Sequence, residues 1–204
     1  MVFATFEGID CSGKTTQIDL LKKYFSKRKD IVFTLNPGET PLGKELRKII
    51  LHRNDLKLSE INELLLFFTG IHDNCEKIIL PSVSQNKIVF CDRYYDSTIA
   101  YQGFGRRLDI NKILKLVDVS GLPEPILTFL FRIDFEVFLE RASKKKNKDK
   151  MESSKNEFYK NVICGYDELA KTYKNRYVVL DGAKPIDLLH KEVREVLKER
   201  LGIC

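Results

Sequence analysis

Five short apolar runs recur along the chain, separated by longer stretches of mixed polarity. Each run is rich in β-branched and aromatic residues, which favours a β-strand. The predicted strands cover residues 2–6, 31–35, 87–91, 126–133 and 177–181. The third run is apolar at almost every position, which is typical of a strand buried on both faces.

The stretches between these runs repeat apolar residues at helical spacing. They predict helices over residues 16–25, 43–51, 59–79, 96–103, 109–119, 136–145, 156–173 and 188–201. Strands that alternate with helices form parallel sheets, because parallel neighbours need crossover connections. We therefore expect an α/β fold, with a doubly wound five-stranded parallel sheet flanked by helices and one domain over residues 1–204.

Ligands of such sheets bind beyond the carboxyl ends of the strands. The segments that follow the predicted strands should therefore share one rim of the sheet. These segments are residues 8–15, 36–40, 92–93 and 181–183.

The first of these segments carries the sequence GIDCSGKT and matches the phosphate-loop pattern GxxxxGK[ST] without exception. Glycine lets the backbone N–H groups approach a phosphate chain, and the helix that follows points its N-terminus at the same place. Lys14 is expected to reach the β/γ-phosphates, and the Thr15 hydroxyl to bind Mg²⁺. The predicted nucleotide contacts are Gly8, Ile9, Asp10, Cys11, Ser12, Gly13, Lys14, Thr15 and Thr16.

A flexible glycine turn is the alternative interpretation of this segment. The strand before the loop and the helix after it favour phosphate binding, and with it a P-loop NTPase fold.

A second polar cluster follows the third predicted strand. Asp92 is positioned to hold Mg²⁺, and the guanidinium fork of Arg93 suits a second phosphate group. Further on, Ser97, Tyr101 and Gln102 fall within about one helical turn, and together they can recognise a nucleoside. A helix cap beside a surface cation is the alternative, but the neighbouring phosphate loop favours a functional role.

Composition and charge further limit the classes of protein to which this chain could belong. The chain has a net charge of +6, and residues 144–155 contain six lysines against two acidic residues. A short basic run without interleaved aromatic residues is a poor nucleic-acid platform, and it suits a mobile lid over phosphates better. The five cysteines show no CxxC spacing and no apolar run reaches 18 residues, so we expect a cytoplasmic protein that binds neither membrane nor nucleic acid.

At this point the sequence resembles a known family, the thymidylate kinases in their bacterial form. The matching motifs are FEGIDxSGKTTQ at 6–17, PGxTPLG at 37–43, LLF at 65–67 and DRYxxSTxAYQG at 92–103. The resemblance implies transfer of the γ-phosphoryl group of ATP to dTMP, with Mg²⁺ as cofactor, in a homodimer.

The resemblance also implies roles for individual residues. Asp10 is expected at the acceptor phosphate and the metal, Phe67 on the thymine ring and Arg141 near ATP. The implied substrate contacts are Asp10, Pro37, Phe67, Arg93, Ser97, Thr98, Tyr101 and Gln102, and the implied metal ligands are Thr15, Asp10 and Asp92. The implied catalytic residues are Lys14, Asp10, Arg93 and Lys150, the last in a lid at about 143–155.

Several positions depart from the family pattern. Asn36 replaces a glutamate, Glu39 replaces a glycine, and Ile71 replaces an arginine expected four residues after Phe67. Lys150 stands where an arginine is usual.

Three other functions remain open on sequence alone. The first is a P-loop kinase that acts on another nucleotide or on a deoxynucleoside, and the second is a GTP-dependent switch. The switch would need an NKxD stretch, which the sequence lacks. The third is a nucleic-acid-binding module, for which binding should depend steeply on salt.

Overall fold

The computed structural model describes residues 2–144 and 156–203. Most of the predicted lid at 143–155, including Lys150, therefore lies outside the described residues.

Five parallel strands form a single sheet in the order β2-β3-β1-β4-β5. The strands are β1 (Val2–Glu7), β2 (Ile31–Leu35), β3 (Ile88–Asp92), β4 (Leu127–Arg132) and β5 (Tyr177–Asp181). The predicted doubly wound parallel sheet is thus confirmed. Because β1 lies at the centre, the loop that follows it leaves from the middle of the rim.

Helices cover both faces of the sheet. They are α1 (Lys14–Tyr24), α2 (Pro41–His52), α3 (Glu60–Asn74), α4 (Leu80–Ser84), α5 (Tyr95–Thr98), α6 (Ile110–Val119), α7 (Phe135–Ser143), α8 (Asn156–Thr172) and α9 (Ile186–Leu201). Within the described part of the chain, no helix is long and apolar enough to cross a membrane.

Two helix predictions need correction. The helix predicted over 59–79 ends as an α-helix at Asn74, and a π-helical turn (Cys75–Ile79) then leads into α4. The helix predicted over 96–103 is the short α5 followed by a second π-helical turn, Ile99–Gly105. Apolar spacing does not separate the two forms, because a π turn changes the repeat only locally.

The central strand divides the hydrophobic core into two halves. Phe3 packs with residues of α2, α3 and α8, whereas Phe6 packs with residues of α1 and α9. Successive side chains of a strand point to opposite faces, so Glu7 belongs to the same side as Phe3.

A buried ion pair fastens α5 to the sheet. Arg176, just before β5, donates to both carboxylate oxygens of Asp96 at 2.6 and 2.8 Å and to Thr128 Oγ1 at 2.7 Å. The rings of Tyr173 and Tyr177 lie 4.7 and 4.9 Å from its guanidinium carbon. This pair therefore fixes the position of the helix that follows Arg93.

We expect Arg176→Met to lower the free energy of unfolding by about 3–5 kcal/mol, because it leaves the buried carboxylate of Asp96 without its partner. Urea unfolding followed by circular dichroism measures this loss. The matched control is Arg53→Met, which breaks an exposed pair with Asp55 and should leave the unfolding midpoint nearly unchanged. Equal effects of the two substitutions would contradict the anchoring role.

Candidate active site

The loop after β1 crosses the rim of the sheet with almost no space around Gly8. A β-carbon on Gly8 would lie 2.6 Å from the carbonyl oxygen of Phe131, and the Gly8 φ angle is +143°. Gly13, with φ +92°, precedes α1 and lets that helix begin at Lys14. The first N–H groups of α1 therefore face the loop, and the buried Ser12 Oγ has no hydrogen-bond partner among the described residues. These groups form a cradle for an anion.

Lys14 is buried and pairs with the acid at the end of β3. Its Nζ atom lies 2.6 Å from Asp92 Oδ1. Burial lowers the pKa of Lys14, although the charge of Asp92 opposes this effect. Burial acts to raise the pKa of Asp92, but the charges of Lys14 and Arg93 outweigh it and hold that pKa below its ordinary value. Asp92 and Lys14 therefore form a tight ion pair at the edge of the loop.

Arg93 lies between the loop and the helix that follows β3. Its backbone is left-handed, with φ +64°, and its N–H donates to the carbonyl oxygen of Phe6. Nη2 lies 2.5 Å from Asp10 Oδ1, and Nη1 donates to the carbonyl oxygen of Gly8 and to Ser97 Oγ. Burial acts to lower the pKa of Arg93, but nearby groups, including Tyr101 and Asp10, hold it well above its ordinary value.

Two cavities open on either side of Arg93. The apolar cavity lies beneath α2, α3 and the second π turn. It is lined by Asp10, Asn36, Pro37, Arg47, Leu51, Phe67, Ile71, Arg93, Tyr94, Ser97, Thr98, Tyr101 and Gln102. All the residues that the resemblance implied as substrate contacts are brought together here.

The loop cavity lies over the phosphate loop. It is lined by Ile9, Asp10, Cys11, Ser12, Gly13, Lys14, Thr15, Thr16, Leu35, Asn36, Gly38, Arg47, Asp92, Arg93 and Arg141. Of the predicted nucleotide contacts, only Gly8 is not part of this lining, because it lies deeper against β4. Arg141 reaches the loop through a 3.1 Å hydrogen bond to the carbonyl oxygen of Cys11.

Sequence reasoning missed Arg47, which lines both cavities. Its Nη1 atom donates to the carbonyl oxygen of Pro37 at 3.1 Å. The available signal was its place in α2, which begins directly after the rim segment 36–40. A cation in the second turn of that helix lies within reach of the rim.

Two of the departures from the family pattern also lie in the apolar cavity. Ile71 is buried and adds an aliphatic wall where an arginine was expected. Asn36 donates through Nδ2 to the carbonyl oxygen of Arg93 at 3.1 Å and to Cys91 Sγ at 3.2 Å. Both residues therefore reduce the number of charges in this cavity.

A phosphate loop at the centre of a parallel sheet, with a second cavity that shares Arg93 and Asp10 with it, defines a P-loop kinase. Such an enzyme holds a phosphoryl donor on one side and an acceptor on the other.

Comparison with known proteins identifies the family. The family model for thymidylate kinase matches residues 6–193. The thymidylate kinase of Sulfurihydrogenibium sp. is 42% identical over 201 residues, covering 97% of each chain. That of Kosmotoga olearia is 38% identical over 194 residues, covering 94% of this chain and 93% of the relative. A crystal structure of thymidylate kinase from Ehrlichia chaffeensis superposes with a TM-score of 0.79 at 36% identity, covering 97% of this chain and 98% of the other.

The chain therefore belongs to the thymidylate kinase family. This confirms the resemblance, the fold class and the assignment as a kinase. It also confirms ATP as the phosphoryl donor and Mg²⁺ as the cofactor.

Proposed function

We propose that this protein transfers the γ-phosphoryl group of ATP to dTMP and releases dTDP. The main observation that supports this function is that the apolar cavity and the loop cavity meet at Arg93 and Asp10. Phosphoryl transfer depends mainly on holding donor and acceptor in line and on neutralising charge between them. A partly buried cation shared by both cavities supports that task.

The base-binding end of the apolar cavity suits thymine. Phe67 offers a ring for stacking, and Pro37, Leu51 and Ile71 provide aliphatic surface. Thymine carries a 5-methyl group that gains from apolar contact. Ile71 therefore offers apolar contact to the face and methyl group of the base, where an arginine would have offered a charged contact.

The amide of Gln102 is held in one orientation. Its Nε2 atom donates to Glu63 Oε1 at 3.1 Å, and Glu63 is also paired with Arg106 through Nε and Nη2 at 3.1 Å. A carboxylate only accepts hydrogen bonds, so the NH₂ group of Gln102 must face Glu63. Gln102 Oε1 has no hydrogen bond to any described residue and is left as an acceptor for the ligand.

An acceptor at this position favours thymine over cytosine. Thymine presents a donor at N3–H, whereas cytosine presents an acceptor at N3. Two facing acceptors would leave buried polar groups unpaired, which is costly. Glu63 thus acts as a positioning residue for base selection through Gln102.

The phosphate and sugar of dTMP fall beside Arg93. Arg93 and Arg47 supply positive charge to the acceptor phosphate, and Tyr101 stands against the sugar. The Tyr101 hydroxyl donates to Asp10 Oδ2 at 3.0 Å and lies 3.3 Å from Arg93 Nη2. These bonds hold the tyrosine ring against the sugar site, where it crowds a ribose 2′-hydroxyl.

The donor phosphates bind to the loop N–H groups and to Lys14, which turns from Asp92 to the phosphates. Thr15, Asp10 and Asp92 would hold Mg²⁺ through hard oxygen ligands, and the bound ion would supply positive charge to the phosphate chain. Among the described residues, no cluster of three His, Cys, Asp or Glu side chains could hold a metal alone. Mg²⁺ commonly binds through one or two carboxylates together with water and substrate phosphates. Lys150 and the lid complete this proposal, although they lie outside the described residues.

We also propose that the protein acts in the cytoplasm as a homodimer through α3 and α4. Ile61 and Leu65 lie one turn apart on α3 and are 51% and 48% exposed, and Leu80 on α4 is 43% exposed. Burial of such a face between two copies would stabilise the pair. Light scattering should give twice the 23.7 kDa of one chain, and Leu65→Glu should halve that mass. A single-chain mass for the unmodified protein at all concentrations would refute the dimer.

The substrate assignment is tested by ADP release from ATP and Mg²⁺ with dTMP, dUMP, dCMP, dGMP, AMP and thymidine as separate acceptors. We expect dTMP to have the highest kcat/KM, because it combines N3–H, the 5-methyl group and a phosphate for Arg93. Lys14→Ala should be inactive with every acceptor. A clear preference for another nucleotide would refute dTMP as the substrate while leaving the kinase class intact.

The role of Glu63 is tested by Glu63→Gln. An amide at this position can accept or donate, so Gln102 becomes free to reverse and to present its NH₂ group to the base. We expect the ratio of kcat/KM for dTMP to that for dCMP to fall by about tenfold or more. Glu60→Gln, on the exposed side of the same helix, should leave this ratio unchanged. Equal ratios in the Glu63 variant and the unmodified enzyme would show that base selection arises elsewhere.

A further inference from the structure

Glu7, the last residue of β1, is fully buried and has no part in the reaction described above. Its Oε1 atom accepts a hydrogen bond from the backbone N–H of Tyr94 at 2.6 Å. Its Oε2 atom lies 2.5 Å from Ser97 Oγ and 3.0 Å from Tyr166 Oη. Ser97 Oγ and Tyr166 Oη are themselves 2.8 Å apart. Three oxygen atoms therefore form a closed triangle at hydrogen-bond distances.

The number of hydrogens available between these three oxygens indicates whether Glu7 is protonated. Three oxygen–oxygen contacts need three hydrogens, but the hydroxyls of Ser97 and Tyr166 supply only two. The guanidinium of Arg93 donates from outside the triangle to Ser97 Oγ at 3.2 Å and to Tyr166 Oη at 3.4 Å, and it adds no hydrogen within the triangle. A proton on Glu7 Oε2 supplies the third, so that the acid donates to Tyr166, Tyr166 to Ser97, and Ser97 back to Glu7.

The charges around the proposed phosphate position of dTMP also favour a protonated Glu7. Arg93 already faces the carboxylate of Asp10 at 2.5 Å. An ionised Glu7 would place a second negative charge behind Arg93, next to the position of a doubly charged phosphate. Because Glu7 is fully buried, its charge would be poorly screened and would weaken binding of the phosphate.

We propose that Glu7 is a positioning residue of the acceptor site that carries a proton when the dTMP phosphate is bound. The protonated side chain closes the hydrogen-bond ring with Ser97 and Tyr166 and leaves the positive charge of Arg93 available to the phosphate. This inference rests on the proposed function, because the phosphate concerned is that of dTMP.

The surroundings of Glu7 place its titration near neutral pH. Burial raises the pKa of Glu7 to about 7, and the charge of Asp96 acts in the same direction. Hydrogen bonds from Ser97 and Tyr94 and the charge of Arg93 act in the opposite direction. The titratable and charged groups that interact with Glu7 are Asp96 on α5, Arg93 after β3, Cys91 in β3, Tyr166 on α8 and Tyr177 in β5.

The direction of the pH dependence follows from these groups. In the free protein, Glu7 is protonated below about pH 7 and ionised above it. A bound dianion raises this pKa further, so dTMP binding takes up a proton. The affinity for dTMP should therefore fall as pH rises above about 7, by a factor that approaches tenfold per pH unit.

The test compares the full-length protein with Glu7→Gln, whose amide is the same size but does not ionise. Isothermal titration calorimetry of dTMP binding, in buffers of different ionisation enthalpy at about pH 7.5, gives the number of protons taken up. We expect greater uptake in the unmodified protein, and a steeper loss of affinity with rising pH than in Glu7→Gln. The difference between the two proteins cancels the protonation of dTMP itself. A merely structural role of Glu7 would leave this proton count unchanged.

A second measurement needs no nucleotide and no folded variant. Infrared spectra of the free protein, with glutamate labelled by carbon-13, should show a protonated glutamic acid band that disappears as pH rises through about 7. Absence of the band at about pH 6, or equal proton uptake in both proteins, would overturn the proposal even though dTMP binds. If the protein shows the band but binds only nucleotides other than dTMP, the dTMP assignment is wrong. The protonation of Glu7 would still stand in that case.

Discussion

The rest of the site depends on the hydrogen bonds and the ion pair that the guanidinium group of Arg93 makes. This group is held by Asp10, the Gly8 carbonyl oxygen and Ser97, and it lies where the two cavities meet. A positive charge in this partly buried position acts through a lower dielectric than it would in water, so it attracts phosphate groups strongly. The left-handed backbone of Arg93, whose N–H donates to Phe6 at the centre of the sheet, places the charge between the two cavities.

The two cavities offer different means of recognition. The loop cavity presents backbone N–H groups and Lys14, which would suit any nucleoside triphosphate. The apolar cavity relies on side chains whose orientations are fixed by buried partners, as Glu63 fixes Gln102. In the proposed function, specificity therefore resides mainly on the acceptor side, and it depends on residues such as Glu63 that orient the side chains lining the apolar cavity.

The sheet and the phosphate loop could be predicted from the sequence because their signals are local. Short apolar runs predicted the strands, and the glycines around Lys14 predicted the loop. The family motifs placed Phe67 and Tyr101 in one site, and the structure brings both to the apolar cavity. The motifs carried no sign of Arg47 or Glu63, since their roles depend on how α2 and α3 pack over the rim. The π turns escaped prediction because they change helical periodicity for only a few residues.

We expect the two cavities to bind donor and acceptor at the same time and face to face. The compound that probes this arrangement is an adenosine and a thymidine joined through five phosphates. Inhibition kinetics should show this compound competing with both ATP and dTMP, and calorimetry should show one molecule bound per chain. Competition with only one of the two substrates would mean that the two cavities do not bind donor and acceptor together across Arg93.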